Sequence, residues 1–239
     1  MTVLVVGATG ATGRLLVEQL LNRGLQVRAV VRSLRQSPLV SHGHLEQVEA
    51  SLPDLHDAAL QELVSGCDAI ASCLGHNMTW RGIFGPPRRL VTDAVRRLCE
   101  AVKANHSSQA VRLVLMNTAA NRNPDCDKPV SPAQRAVLSI LRLLVPPHAD
   151  NEQAAEYLRT VIDQSDPDVE WVAVRPDSLC DAREISAYET HLSPTRSAIF
   201  NAGSTSRINV AGFMAELITN DAVWERWKGR MPVIYNQGE

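Results

Sequence analysis

The run Val3-Leu4-Val5-Val6 leads directly into Gly7-Ala8-Thr9-Gly10-Ala11-Thr12-Gly13, and helix-spaced apolar residues Leu15, Leu16, Leu20 and Leu21 follow. No other stretch limits the fold as much. A strand that turns through glycines into a helix can bring main-chain N–H groups, with no Cβ in the way, to the helix's positive end. A dinucleotide pyrophosphate needs that arrangement. Gly7 is expected to make the turn out of the strand, and Gly10 to let the backbone approach the phosphates. Gly13 is expected to let the first helix pack close to the sheet. Thr9, Ala11 and Thr12 complete the cradle, and Arg14 is a further phosphate contact. The spacing is G-x-x-G-x-x-G rather than G-x-G-x-x-G. A purely structural tight turn is the competing reading.

Strand-like and helix-like segments alternate along the rest of the chain. Residues 26–31, 45–49, 68–73, 111–116 and 169–174 read as further strands, and 55–64, 90–104 and 150–162 as helices. This alternation predicts an α/β fold: a doubly wound parallel sheet in three α/β/α layers, with ligands outside the carboxyl ends of the strands. Stretches at about 75–89, 117–149 and 175–207 interrupt it. All follow strands, so they are expected to be substrate-side loops of one domain spanning 1–239.

With 239 residues, 45% apolar and 21% charged, the chain has the composition of a soluble globular protein. A net charge of −2 gives no general attraction to nucleic acid. No apolar run is long enough to span a bilayer, and no secretory signal precedes the first strand. Five scattered cysteines without C-x-x-C spacing suit reduced thiols in the cytoplasm.

Several segments resemble the atypical short-chain dehydrogenase/reductase group, particularly its NAD(P)H-binding, NmrA-like and flavin-reductase-like members. They are V-L-V-V-G-A-T-G-A-T-G-R at 3–14, V-R-A-V-V-R-S at 27–33 and G-C-D-A-I at 66–70. A-A-E-Y-L at 154–158 and V-E-W-V-A-V-R-P at 169–176 extend the likeness, and R-I-N-V-A at 207–211 matches more loosely. The resemblance implies an NAD(P)-binding Rossmann fold. The group includes reductases, isomerases, sugar-nucleotide enzymes and cofactor-sensing regulators, so the substrate stays open.

The second strand ends near the adenosine ribose in such folds. An acidic residue there accepts from a free 2′-hydroxyl and repels a 2′-phosphate. This chain has Arg32, then Ser33 and Arg35, which favours NADP(H) over NAD(H) because guanidinium pairs with phosphate. A solvated strand-end arginine is the alternative. After the third strand the resemblance implies an acidic residue near the adenine, but the chain has Ala50-Ser51-Leu52, leaving Ser51 and Leu52 as the contacts. Leu74 and Gly75 after the fourth strand are expected beside the cofactor. The backbone of Arg175-Pro176 after the sixth is a candidate carboxamide contact.

The group's usual Tyr-x-x-x-Lys pair is missing: Tyr157 is followed by Val161 and Tyr188 by Leu192. Anchored on Ala155-Glu156, the two slots fall on His148 and Glu152. His148 is a candidate general acid, whereas Glu152 cannot imitate a lysine. Thr118, after the fifth strand, is a candidate hydrogen-bond donor to a carbonyl, and His76 with Asn77 is expected to face the substrate. For both histidines a plain loop or capping role is the competing reading. The leading expectation is an NADP(H)-dependent oxidoreductase reducing a small carbonyl, quinone or flavin-like acceptor. A non-catalytic NADP(H) sensor that binds another protein, or a cofactor-dependent epimerase or isomerase, are the alternatives.

Other patterns carry less. His42-Gly43-His44 lacks a third metal ligand at a supporting spacing. Arg81, Arg88, Arg89, Arg96 and Arg97 read mostly as a solvated helix face, with Arg81 or Arg88 an alternative contact for an acidic substrate. Trp224 and Trp227 are expected to pack a last helix on the core, with a homodimer contact as the other reading.

Overall fold

A computed structural model describes residues 1–76, 85–106, 109–128, 137, 145–198 and 200–237. In chain order the elements are β1 (Thr2–Val6), α1 (Ala11–Asn22), β2 (Gln26–Val31), β3 (Leu45–Glu49), α2 (Asp57–Val64), β4 (Ala69–Ser72) and α3 (Leu90–Ala104). β5 (Val111–Met116), α4 (Pro146–Tyr157), β6 (Val169–Pro176), β7 (Ser178–Cys180) and β8 (Tyr188–His191) follow. The last are β9 (Ser204–Ser206), α5 (Arg207–Thr219), α6 (Asp221–Trp227) and β10 (Val233–Asn236).

Eight strands form one sheet in the order β3-β2-β1-β4-β5-β6-β10-β8. Every neighbouring pair is parallel except β10 and β8, which run antiparallel. This is the doubly wound arrangement, and its strand order reverses direction between β1 and β4. Ligands of such sheets enter the crevice opened there.

Alternate residues of each strand face opposite sides, so continuous apolar runs fill two cores. Leu4, Val6, Ile70, Leu113, Leu115 and Trp171 pack with α2, α3 and α4. Val3, Val5, Ala29, Ala71, Val114, Val172 and Val174 pack with α1, α5 and α6. Trp224 and Trp227 are buried in this second core, so a homodimer would have to use another face.

The structure departs from the sequence reading in two places. α4 starts at Pro146, ahead of the expected position, and ends in a single π turn, Leu158–Ile162. Prolines in a first helical turn lack only N–H groups that have no helical partner, so Pro146-Pro147 opens the helix rather than preceding it. The stretch 175–207 also contains β7, β8 and β9, of which β7 and β9 form a small parallel sheet of their own. These strands read S-L-C, Y-E-T-H and S-T-S and lack the apolar alternation that identifies a strand. Among the described residues no helix is long and apolar enough to cross a membrane.

Candidate functional site

The loops after β1 and β4 meet at the reversal point of the sheet. Gly7 has φ +74°, a left-handed conformation natural to glycine, and a Cβ there would lie 2.5 Å from the Cys73 main chain. A Cβ on Gly13 would lie 2.1 Å from the Gly7 carbonyl oxygen, so α1 can sit this close to the turn only with glycine. On Gly10 the same distance would be 3.2 Å. The Gly10 N–H donates to the Gly7 carbonyl, and the Arg14 N–H donates to Gly10. The N–H groups of Ala11, Thr12 and Gly13 take no partner among the described residues. α1 has no side-chain cap and no acidic residue in its first turn. An ordinary helix start would gain from either. This one leaves its donors and its positive dipole end for an anion.

Gly7, Thr9 and Gly10 form one wall of a cleft of about 410 Å³. Val30 and Arg32 from β2 and its end, and Ala50, Ser51, Leu52 and Pro53 after β3, form another. Cys73, Leu74, Gly75 and His76 after β4, with Pro86, Pro87 and Leu90 leading into α3, complete the lining. Among the described residues a Cβ on Gly75 would meet nothing within 4 Å. Burial pushes the Cys73 thiol up to about 12, which keeps it protonated.

At the β2 end of the cleft Arg32 is exposed and makes no ion pair among the described residues. The nearby Glu49 carboxylate accepts the Leu34 N–H at 2.7 Å. Ser33 and Arg35 lie on the turn beyond Arg32, off the wall of the cleft, with Arg35 exposed. Arg97 does not behave as a solvated helix residue. Its guanidinium donates to the Leu52 carbonyl at 2.9 Å and also to the Leu55 carbonyl, and pairs with Asp57. It thereby anchors the turn that carries Leu52 and Pro53 to α3.

At the other end, α4 gathers the loops after β4 and β5. His76 Nε2 lies 2.7 Å from Asp150 Oδ2, and both side chains are buried. Asp150 also accepts the N–H groups of Val91 and Thr92 and the Thr92 hydroxyl. The Asn117 side chain donates to the Asn151 carbonyl at 2.8 Å and accepts the Thr118 N–H. The Thr118 hydroxyl accepts the Ala120 N–H, so its own hydrogen can still be donated. His148 lies within the first turn of α4 rather than before it, with Nε2 3.6 Å from Glu152 Oε1. The helix with the Tyr and Lys slots therefore carries an imidazole facing a carboxylate.

Arg175 and Pro176 are not brought to the cleft wall. The Arg175 guanidinium is fully buried and pairs with Asp127, at 2.6 Å, and with the carbonyls of Asn121, Met231 and Leu192. Its N–H donates to Pro232, and the Pro176 carbonyl accepts from Ala119. Thr118, His148, Ala11, Thr12 and Gly13 also lie off this wall, Thr12 and Gly13 buried behind it. Val30, Ala50, Pro53, Pro86, Pro87, Leu90 and Asp150 escaped the sequence reading. The apolar ones carry no chemical signal, and Asp150 reads as an ordinary helical carboxylate. Asn77 and Arg81 lie outside the described residues. His42 and His44 stack edge to face on an exposed loop, and no metal-binding cluster occurs among the described residues.

A family model described as NAD(P)H-binding matches residues 7–221. Among solved structures, the oxidoreductase ylbE from Lactococcus lactis superposes with TM-score 0.70 at 18% identity, covering 99% of this chain and 91% of that one. A candidate NADH-flavin reductase from Streptococcus pneumoniae gives 0.68 at 17%, covering 99% and 100%. A wide-type short-chain dehydrogenase/reductase from Veillonella parvula, solved with NADP, gives 0.69 at 14%, covering 99% and 95%. These likenesses establish the Rossmann-like fold. Among curated proteins, the photosystem II assembly factor Ycf39 of Cyanophora paradoxa is 42% identical over 62 residues, 23% of this chain and 19% of that protein. YbjS of Escherichia coli is 34% identical over 80 residues, 34% of this chain and 24% of that protein. The matched segment thus spans less than a quarter of either relative.

Proposed function

The chain belongs to the NAD(P)H-binding family, and on that footing we propose that it is an NADP(H)-dependent oxidoreductase of the atypical short-chain group. Its acceptor is a small carbonyl, quinone or flavin-like molecule. One observation carries the reading: the uncapped, glycine-lined start of α1 and the exposed Arg32 open on the same cleft. A diphosphate fits the first, and a 2′-phosphate the second.

In this reading Gly7, Thr9 and Gly10, with the N–H groups of Ala11, Thr12 and Gly13, hold the pyrophosphate. Arg32, helped by Ser33 and Arg35, takes the 2′-phosphate, and Ser51 and Leu52 flank the adenine. Leu74 and Gly75 run beside the remainder. When bound, the reduced nicotinamide supplies the hydride. The chain's own task is to orient the acceptor, exclude water and manage a proton, for which Thr118, His148 and His76 are the candidates. Five free thiols suit a reducing compartment, the cytoplasm.

The sensor reading draws on the His148–Glu152 contact at the Tyr and Lys slots. Two measurements separate them. NADPH and NADH are titrated into wild type and Arg32→Ala by nucleotide fluorescence, and NADPH oxidation is followed with aldehydes, quinones and flavins. Loss of the phosphate contact should weaken NADPH by about 10- to 100-fold and leave NADH nearly unchanged. Equal weakening of both refutes the 2′-phosphate role. Tight NADPH binding without turnover on any acceptor favours the sensor.

A further inference from the structure

Asp150 has no place in a nucleotide cradle, yet it is among the most thoroughly engaged side chains of the molecule. Its carboxylate is 1% exposed and faces four donors: the Val91 N–H at 2.8 Å, the Thr92 N–H at 3.0 Å, the Thr92 hydroxyl at 2.6 Å and His76 Nε2 at 2.7 Å. The two amides can only donate, so the carboxylate acts as acceptor throughout. The imidazole must then present Nε2–H to Asp150, and proton exchange with any other group runs through Nδ1. Capping α3 would need only the amides. The fourth contact reaches from α4 to a residue on the cleft wall 74 positions earlier.

We propose that Asp150 is a positioning residue that fixes the tautomer and orientation of His76, and that His76 gives the proton when a carbonyl acceptor is reduced. This rests on the hydride-transfer reading above. A carbonyl carbon that takes up a hydride leaves negative charge on its oxygen. That oxygen forms an O–H bond with the proton that the imidazolium form of His76 carries on Nδ1; that N–H bond breaks, the ring is left neutral with its Nε2–H on Asp150, and Nδ1 regains a proton from solvent. One hydride and one proton convert C=O to CH–OH, while the reduced nicotinamide is oxidised. A conjugated quinone or flavin spreads the added charge and takes its proton from water. The pair therefore points to a carbonyl as the acceptor class that this site is equipped to serve.

The test compares wild type, His76→Gln and Asp150→Asn with an aldehyde and a quinone, together with the NADPH Kd of each. An asparagine turns an N–H group toward one of the donors that Asp150 now accepts, which upsets the tautomer. At saturating NADPH each variant should lower the ratio of aldehyde to quinone kcat by about 100-fold. In ¹⁵N spectra of histidine-labelled protein without nucleotide, wild type should show His76 protonated at Nε2, and Asp150→Asn should lose that signature. If Asp150→Asn does not fold, His76→Ala decides: aldehyde turnover restored by added imidazole supports the proposal. Aldehyde turnover that survives in His76→Ala, or that imidazole does not restore, overturns it. Equal losses on both acceptors also overturn it. Wild type inactive on every acceptor removes the hydride-transfer reading and this proposal together.

Discussion

On the β3 side of β1 the strands come from one short stretch of chain, whereas beyond β5 the sheet is tied by fully buried polar side chains. β1, β2, β3 and β4 pair within the first 72 residues. Beyond β5, Arg175 grips Asp127, 48 positions away, and Asn209 joins Ser186 to Asn236. Two styles of construction share one sheet. Short-range apolar packing tolerates substitution if volume is conserved, while buried polar links fail when a single partner is removed.

The largest effect should come from breaking such a link. Arg175→Met leaves the buried Asp127 carboxylate without its cation and should cost about 3–5 kcal/mol in urea unfolding. Replacing both, Arg175→Met with Asp127→Leu, should restore most of that, and a double variant no better than the single one would show that the pair is not the cause. On the other flank, Gly13→Val places carbon against the Gly7 carbonyl. It should cost about 1–3 kcal/mol and abolish NADPH binding, and wild-type stability would mean that α1 can move away.

The smallest effect is a pH dependence beyond β6. Burial, the main cause, raises the Asp177 carboxyl above its ordinary value, although it accepts the N–H groups of Gly203 and Ser178. The folded state thus holds this proton more tightly than the unfolded chain. Its contribution is present below the unfolded value and is lost as pH rises through the folded one. Asp177→Asn should therefore gain on wild type as pH is raised from about 4 to 7, read from urea midpoints. Parallel curves would show that Asp177 does not report on this region.

The same contrast explains what could be read from the sequence. β2, β3, β5 and α3 fall on their expected residues because apolar period and glycine punctuation are local signals. Gly7, Thr9, Gly10, Arg32, Ser51, Leu52, Leu74 and Gly75, expected at the cofactor, and His76, expected toward the substrate, line one cleft. Asp150 and Arg97 went unrecognised because each acts on a loop more than forty positions away. No window of sequence shows such a contact. β7, β8 and β9 escaped because polar residues form them, and their pairing is set by distant neighbours.

The position of β10 has a consequence for biosynthesis. It lies between β6 and β8, yet it is made after both. Once β6 and β8 have left the ribosome, and until residues 233–236 follow, β6 presents a bare row of hydrogen-bonding groups, and β8 has no neighbour in the main sheet to join. Only when residues 233–236 leave the exit tunnel can that flank close. Until then the nascent chain carries an open edge of the kind that recruits chaperones or sticks to other chains.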